Sequence, residues 1–423
     1  MSKWVQDIQQ ISKIAEDEPQ LAYSAYTKAL CMRWSFLQRT IPDTGDFFAP
    51  IEDAIRDIFI PALIGRRITD LERRILALPV RMGGLGIQNP MLTAEIEFRN
   101  SFTVTRSLKR IIVNQEINFD NYDAEQVKSD IQNIKSEKEE AFLMQLEDIK
   151  NSVDSKMKRN LELANEKGAG TWLTALPLKS MGYVLNKQEF RDAICLRYAW
   201  KIPNTPFHCG CGVKNSVDHT LNCKRGGYVA MRHNNLRDFE GKLLSEICKD
   251  VKIEPPLLPI GNSTQITNEA NGARLDVSAV GIWSSMERTF LDVRVFHPNS
   301  ASYLNTIPNQ LYINHEKKKK REYNNRVLQI EKGSFTPLIF STTGGMGPEA
   351  TKFHKRVAEL ISAKRGERDS DVVNYIRTKL RFSVLKSVLV AVRGERGKRR
   401  RTTDTPISDL SLNLVPSQVS YEV

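Results

Sequence analysis

The chain has no long hydrophobic run. No stretch of its 423 residues reaches the roughly 18 consecutive apolar residues that a membrane-spanning helix needs. The first residues, MSKWVQDIQQ, lack the uninterrupted apolar core of a secretory signal. We therefore expect an intracellular protein without a membrane partner.

Cysteine is also scarce, with six residues in the whole chain. Six are too few to hold a chain of this length together as a disulfide scaffold, and three of them crowd into one short segment. Such crowding indicates a metal site in a reducing compartment. Cys31, Cys195 and Cys248 stand alone in helical patterns, and we interpret them as small core residues.

Acidic residues are outnumbered by basic ones. The sequence has 62 lysines and arginines against 50 aspartates and glutamates, which gives a net charge of +12. Hydrophobic residues make up 40% of the chain, enough to build cores, so the chain is not a disordered tail. The basic surplus favours a polyanionic partner, because cations that neutralise phosphates release condensed counterions.

Patterning along the chain divides it into five segments and predicts an α+β protein. Apolar residues first recur at helical spacing, a charged stretch follows, and helix and strand patterns alternate after the cysteine cluster. We predict an all-helical region over 1–110, a charged connector helix over 111–170, a linker with the cysteine cluster over 171–228, an α/β core with a mixed sheet flanked by helices over 229–365, and a helix with a basic tail over 366–423.

Cys209, Cys211, His219 and Cys223 form the pattern C-x-C-x7-H-x3-C within FHCGCGVKNSVDHTLNCKRGG. Zinc takes four such ligands in a tetrahedron, and the neighbouring glycines let a short loop wrap the ion. A segment too small for its own core is then held by the metal. His208 is an alternative ligand, and free thiols beside a surface histidine are the other interpretation.

Two aspartates interrupt hydrophobic runs in ARLDVSA and FLDVRVF. Asp276 and Asp292 each alternate with apolar residues, so in a strand each carboxylate lies on the opposite face from its apolar neighbours. The segment between them suits a hairpin, which brings both carboxylates to one face. Two carboxylates that close repel unless a divalent cation lies between them, and Mg²⁺ prefers oxygen ligands. The pair therefore predicts a Mg²⁺ or Mn²⁺ site.

A third acid is expected in the helix before these strands, NNLRDFEGKLLSEICKDV. Leu236, Phe239 and Leu243 form its apolar stripe, and at 100° per residue Glu240 falls inside that stripe. A carboxylate in a core-facing stripe suits a metal site, so we predict Glu240 as a ligand, with Glu246 as second choice.

A basic run, KKKKREY, follows on a predicted helix. A lysine beside a catalytic metal stabilises the charge that develops on a phosphate under attack. Lys320 lies three positions before Tyr323, so both can face one groove. The other interpretation of the run is a solvated face or a nuclear-import signal.

Residues 232–345 resemble the restriction-like endonuclease of site-specific non-LTR retrotransposons, a branch of the PD-(D/E)xK nucleases. The matching pieces are RH at Arg232 and His233, the LD pairs at Asp276 and Asp292, and KKKREY. HTLNC looks like the CCHC zinc knuckle that precedes this nuclease in those polyproteins. RWSFLQRTIPD and LPVRMGGLGI look similar to the helical region, or thumb, that follows a reverse transcriptase palm.

The resemblance implies a metal-dependent DNA endonuclease that nicks a target for target-primed reverse transcription. Asp276, Asp292 and Glu240 would hold Mg²⁺ or Mn²⁺, Lys320 would stabilise the transition state with Lys317 in reserve, and Tyr323 would position phosphate. The residues implied to contact nucleic acid are Arg232, His233, Lys317, Lys318 and Lys319. Structural zinc, a DNA target, element RNA and a nuclear location after synthesis in the cytoplasm are further implications, and a homodimer that cuts both strands is left open.

The sequence departs from the family pattern at one informative position. Arg294 stands where many superfamily members have lysine, and arginine clamps phosphate but does not readily give up a proton. The lysine role therefore moves to Lys320, and the alternative is a nucleic-acid-binding remnant with a dead cleavage centre. The chain contains no Tyr-x-Asp-Asp or other paired Asp-Asp, so it is not a complete reverse transcriptase.

Overall fold

The chain divides into two units, and each is built from two separate stretches of the sequence. The first comprises residues 1–165 and 184–200, and the second comprises residues 166–183 and 201–423. The structure is a computed structural model that describes residues 2–115, 123–258 and 273–396. Most of the basic run near the end of the chain and the polar tail, both predicted as part of 366–423, lie outside the described residues.

Among the described residues helices predominate, and the strands form one sheet. The helices are α1 (Ser2–Asp17), α2 (Pro19–Lys28), α3 (Ser35–Thr40), α4 (Ala49–Ala54), α5 (Ile60–Ile64), α6 (Asp70–Ala77), α7 (Pro90–Val113), α8 (Ala124–Ser152), α9 (Ser155–Ala164), α10 (Thr171–Thr174), α11 (Lys187–Arg197), α12 (Val217–Asn222), α13 (Tyr228–Ser245), α14 (Pro308–Arg326), α15 (Pro348–Arg365) and α16 (Asp369–Arg393). The strands are β1 (Lys249–Ile253), β2 (Val277–Val280), β3 (Arg288–Phe296) and β4 (Ser334–Ser341). This composition confirms the predicted α+β class.

The described part of the first unit is helical, and local signals set where its helices begin. Thr69 and Glu72 form a capping box at α6, in which each backbone N–H donates to the other residue's side chain. Asn89 caps α7 by accepting from the Met91 N–H at 2.9 Å. Between α4 and α5 a π turn over Ile55–Phe59 continues the helical path, and Pro61 lies in the first turn of α5.

A buried ion pair joins α4 to α6 inside the first unit. The Arg73 and Glu52 side chains are 7% and 6% exposed, and two guanidinium nitrogens donate to the two carboxylate oxygens at 2.7 Å each. A third nitrogen of Arg73 donates to the Ile87 carbonyl at 2.7 Å. The pair therefore fixes two helices and the loop before α7 with one side chain.

The sheet of the second unit has the order β1-β2-β3-β4. β1 and β2 are antiparallel, β2 and β3 are antiparallel, and β3 and β4 are parallel, with α14 in the crossover between them. In chain order the elements are a helix, three strands, a helix and a fourth strand, with α15 and α16 following. The predicted hairpin is present, with Val277 opposite Leu291.

Alternation along β3 separates two sides of this sheet. Phe290 belongs to an apolar cluster with Val327, and Phe296 belongs to one with Leu311 and Tyr312 of α14. Side chains two residues apart share a face, so Asp292 lies on the α14 side as well. Leu291 and Val293, which are fully or almost fully buried, lie on the other side.

None of the helices in the described ranges combines the length and the apolar content that a bilayer span requires.

Arg73→Ala is expected to lower the free energy of unfolding by about 3–5 kcal/mol, because it leaves Glu52 buried without its cation. Arg74→Ala is the matched control, since Arg74 forms an exposed pair with Asp148 and its loss is expected to cost less than about 1 kcal/mol. Urea unfolding followed by circular dichroism measures both, and equal losses would contradict the special role of the buried pair.

Candidate active site and metal centre

Asp276 and Asp292 are brought together by the pairing of β2 with β3. Asp276 directly precedes β2, and its N–H donates to the Leu291 carbonyl at 3.0 Å. The register that pairs Val277 with Leu291 places Asp276 opposite Asp292, and opposite residues of antiparallel strands share a face. One carboxylate oxygen of Asp276 also accepts from the Val293 N–H at 2.6 Å. The two carboxylates are therefore neighbours on the α14 side of the sheet.

Lys319 of α14 meets Asp292 directly. Its ammonium nitrogen lies 2.9 and 3.1 Å from the two carboxylate oxygens, and it also lies 5.3 Å from the centre of the Tyr323 ring. Lys320, which the sequence analysis favoured, pairs with Glu349 of α15 at 2.5 Å. Successive residues of a helix differ by about 100° in direction, so only one lysine of the run can face Asp292. The structure places Lys319 in that position.

Burial dominates the electrostatics of Asp292, whose residue is 6% exposed. Desolvation raises the pKa of its carboxyl from the ordinary 3.8 to about 6, although Lys319 lowers it, while Asp276 adds to the rise. Desolvation works against the ammonium of Lys319, but the attraction of Asp292 outweighs it and raises the pKa of that group. The carboxyl of Asp292 therefore ionises closer to neutral pH than an ordinary aspartate does.

His233 of α13 supplies the partner of Asp276. Its Nε2 lies 3.2 Å from a carboxylate oxygen of Asp276, and this hydrogen bond raises the pKa of the imidazole. His233 was predicted to contact nucleic acid, and its half-buried ring instead lies against the acid pair. Its neighbour Arg232 is 2% exposed and donates to the Leu221 carbonyl, so it is not available to a phosphate. Burial lowers the pKa of Arg232 to about 10.

Glu240 is fully buried but does not join the two aspartates. It contacts Nε2 of His354 in α15 at 2.9 Å, while Nδ1 of that histidine donates to the Ala350 carbonyl at 2.7 Å. The His354 ring packs beside Phe340, which lies on the opposite side of the sheet from Ile339 and the α14 cluster. Glu240 therefore belongs to the other layer, where it lies within hydrogen-bond distance of His354. The second choice, Glu246, pairs with Arg365 at 2.5 Å.

The remaining basic residues predicted for the site differ in their burial and in their position relative to Asp292. Arg294 lies two positions along β3 from Asp292 on the same face and is partly buried. After desolvation, the positive charge of Arg294 is the main cause that lowers the pKa of buried His315 to about 4. Lys317 and Lys318 are exposed, and Lys318 lies 4.0 Å from Glu322.

Two buried side chains of the second unit, Glu316 and His354, were missed by the sequence analysis. Glu316 of α14 accepts from the Glu349 N–H at 2.9 Å and so caps the start of α15, which has no cap of its own. His354 lies on the buried stripe of α15. Both interrupt apolar stripes, His354 beside Phe353 and Glu316 beyond Leu311 and Tyr312, and that interruption is the signal that could have revealed them.

The cysteine cluster converges on a single point. The ligand atoms of Cys209, Cys211, His219 and Cys223 all lie within 4.8 Å of one another. The Cys209 and Cys223 sulfurs are 3.8 Å apart, and the Cys211 sulfur is 3.2 Å from His219 Nε2. A tetrahedral zinc site has ligand–ligand edges of about 3.5–3.8 Å, so these residues fit zinc. Within the described residues this is the one group of three or more acid, histidine or cysteine side chains that converges so closely.

A short capped helix and a tight loop build this cluster. Ser216 caps α12 by accepting from the His219 N–H at 3.1 Å, and α12 carries His219 one turn before Cys223. Gly210 lies so close to Arg396 that a Cβ there would come within 2.0 Å of the Arg396 carbonyl oxygen. His208, the alternative ligand, is exposed and lies outside the converging group.

Hydrogen bonds fasten the cluster to the strands that carry the acid pair. His297, just after β3, is 4% exposed and contacts Asp218 of α12 through Nε2 at 2.9 Å and Thr342 through Nδ1 at 2.7 Å. Asn222 donates to Ser300 at 2.9 Å. Because Arg232 holds the Leu221 carbonyl as well, the end of α12 is tied to the helix that carries His233.

No protein-family model matches the chain, and a search of curated proteins finds no significant match. We therefore infer the function from the residues and their geometry.

His219→Ala and the double change Cys209→Ser with Cys223→Ser are expected to reduce bound zinc from about one ion per chain to near zero, because each removes tetrahedral ligands. His208→Ala is the matched control and is expected to keep its zinc. Metal analysis by mass spectrometry after dialysis measures this. Zinc lost from His208→Ala but not from His219→Ala would identify the other histidine as the ligand.

The raised pKa of Asp292 predicts a pH-dependent stability. Its neutral form is favoured in the folded protein, so the stabilising contribution is complete below 3.8 and is lost as pH rises through about 6. In Asp292→Asn this loss is absent. Relative to wild type, the variant is expected to gain about 1–3 kcal/mol of unfolding free energy between about pH 4 and pH 8.

Urea unfolding at several pH values measures this gain. Lys319→Met provides the second comparison, because removing the cation that lowers the Asp292 pKa should move the transition to higher pH. A difference between Asp292→Asn and wild type that stays constant with pH would contradict the prediction.

Proposed function

We propose that the protein is a metal-dependent DNA endonuclease that nicks a target phosphodiester for a non-LTR retrotransposon. The observation that carries the proposal is the Asp276–Asp292 pair with Lys319 bound to Asp292 at 2.9 Å. Its setting supports it, because the helix with Glu240, the two strands that bring the aspartates together, the basic helix and a further strand follow one another in the order predicted from the sequence. A chain built only for stability would gain little from a desolvated carboxylate in its central strand.

The donor set fits a hard divalent cation. Asp276 and Asp292 would hold Mg²⁺ or Mn²⁺, which when bound supplies a Lewis acid and an activated water for attack on phosphorus. Burial favours metal binding by Asp292. Desolvation disfavours the ionised carboxylate and so raises its pKa, and a bound cation would compensate that cost by stabilising the ionised form.

Four further side chains have roles that their positions suggest. Lys319 places an ammonium where negative charge grows on the phosphate, and Tyr323 holds that ammonium over its ring. His233 orients the Asp276 carboxylate through its Nε2 hydrogen bond. Arg294, one strand repeat from Asp292, is positioned to clamp a phosphate oxygen. The zinc cluster serves as a structural brace at the end of β3, and the same proposal places the protein on target DNA and element RNA in the nucleus.

A second candidate is a nucleic-acid-binding remnant without cleavage activity. Specific observations favour it. Glu240, expected as the third ligand, pairs with His354 in the other layer, and each aspartate already has a basic side chain as its partner. In this alternative the acid pair and its cations are an ion network that supports the sheet, and the basic surplus alone attracts DNA.

Supercoiled plasmid is expected to be nicked by the purified protein with Mg²⁺ or Mn²⁺. Asp292→Ala should lower the rate by about 100-fold or more while DNA binding is retained, because it removes a metal ligand but no phosphate contact. Lys319→Ala should reduce nicking by a similar factor. The matched control is Lys320→Ala, one residue along the same helix, which should retain most of the activity.

Gel analysis of nicked plasmid and an electrophoretic mobility assay give the two readouts. Metal-dependent nicking that is equal in wild type and Asp292→Ala would identify a contaminant. Binding without nicking above the Asp292→Ala background would establish the remnant in place of the nuclease.

A further inference from the structure

Helix α7 of the first unit exposes one long face. Its residues Ala94, Asn100 and Ile111 are buried, and they define the face that packs against the rest of the unit. At 100° per residue the opposite face is centred near Arg99 and Arg106. This face belongs to the first unit, whereas the acid pair and the zinc cluster both belong to the second unit.

The exposed face of α7 is basic and carries one aromatic ring. Leu92 and Val113 are exposed on one arc of about 100° of this helix, and between them the exposed basic and aromatic residues of that arc are Arg99, Phe102, Arg106, Lys109 and Arg110. They follow one another at spacings of three, four, three and one, so they form a continuous stripe along three turns. We call these five residues the α7 stripe. One acid, Glu95, lies on the same arc, one turn before the stripe begins.

The cations of the α7 stripe are not neutralised by the described part of the protein. None of its arginines or its lysine forms an ion pair with a described residue, whereas Glu97 on a flank of the same helix pairs with Lys138 at 2.7 Å. The Lys109 ammonium lies 4.9 Å from the centre of the Phe102 ring. Phe102 is 44% exposed, so part of a large apolar ring remains open to solvent among four positive charges, and the Phe98 ring lies beside it with 6.2 Å between the ring centres.

This combination has a specific chemical complement. Cations at intervals of one helical turn match a chain of phosphates, and the exposed ring offers a surface on which a base can stack. A duplex keeps its bases stacked on one another, so it satisfies the cations but not Phe102. We propose that the α7 stripe binds single-stranded nucleic acid, with phosphates on Arg99, Arg106 and Lys109 and a base on Phe102.

The test uses the full chain and a fluorescently labelled 20-nucleotide oligothymidylate, in buffer without Mg²⁺ or Mn²⁺ so that cleavage plays no part. The triple variant Arg99→Ala, Arg106→Ala, Lys109→Ala should bind about 10-fold or more weakly by fluorescence anisotropy, with a salt dependence reduced by about two units of log–log slope. The control is Lys3→Ala, Lys28→Ala, Lys135→Ala, which removes the same charge from exposed positions of the first unit and should change affinity less than about twofold.

Phe102→Ala tests the stacking contact by itself. It should weaken oligothymidylate binding by about 5- to 100-fold and leave binding of an abasic oligonucleotide of equal length unchanged. Photocrosslinking of an iodouracil-containing strand should label the peptide around Phe102 in the wild-type protein. Circular dichroism of each variant confirms that α7 and the rest of the fold remain helical.

Three results would overturn the proposal. These are equal losses in the stripe and control triple variants, a Phe102→Ala defect that is the same for abasic and intact strands, and duplex binding that depends on Phe102 as strongly as single-strand binding does. Because all readouts are binding without a divalent cation, their outcome is separate from whether the acid pair cleaves DNA.

Discussion

The contact between the Asp292 carboxylate and the Lys319 ammonium is the constraint on which the candidate active site depends. A carboxylate in the middle of a central strand, between two buried apolar residues, is strongly disfavoured unless a cation meets it. Lys319 of α14 meets that requirement, and α14 in turn provides Glu316 as the cap of α15. The side chain that meets the charge of Asp292 and the side chain that caps α15 thus belong to the same helix, α14.

The second unit contains two centres of contrasting chemistry. The cluster at α12 offers three sulfur ligands and an imidazole, which are suited to zinc, whereas the acid pair offers oxygen ligands, which are suited to Mg²⁺. His297 connects them. It lies just after β3 and contacts Asp218, which precedes the cluster ligand His219 in the sequence. The two sets of side chains are suited to different ions, and the hydrogen bonds of His297 link the cysteine cluster to the end of β3.

Sequence periodicity predicted the parts of the site that depend on a single element. Alternation placed Asp276 and Asp292 correctly on one face, because a strand has only two faces to choose from. The ligand spacing of the cysteine cluster was equally informative, since a short loop limits where its side chains can point. The apolar stripe of α13 likewise showed that Glu240 is buried.

What periodicity could not supply was the relation between elements. The stripe of α13 does not reveal which layer it packs against, and Glu240 lies in the layer of His354 rather than with the aspartates. The same limit applies to Lys319 and Lys320, which differ only by one step of rotation in a run of identical residues. Arg232 is a further example of this limit. It donates to a carbonyl near the end of α12, and the sequence around it does not predict that contact.

The four consecutive lysines of α14 have a consequence for how the protein tolerates change. Together they cover about 300° of the helix circumference, so nearly every angular setting of α14 presents an ammonium to Asp292. A slip of the helix by one residue would exchange one lysine for another and preserve the ion pair. Glu316 has no such substitute, since its neighbours are His315 and Lys317. Redundancy therefore protects the charge of the site, while the alignment of α15 depends on a single unduplicated side chain.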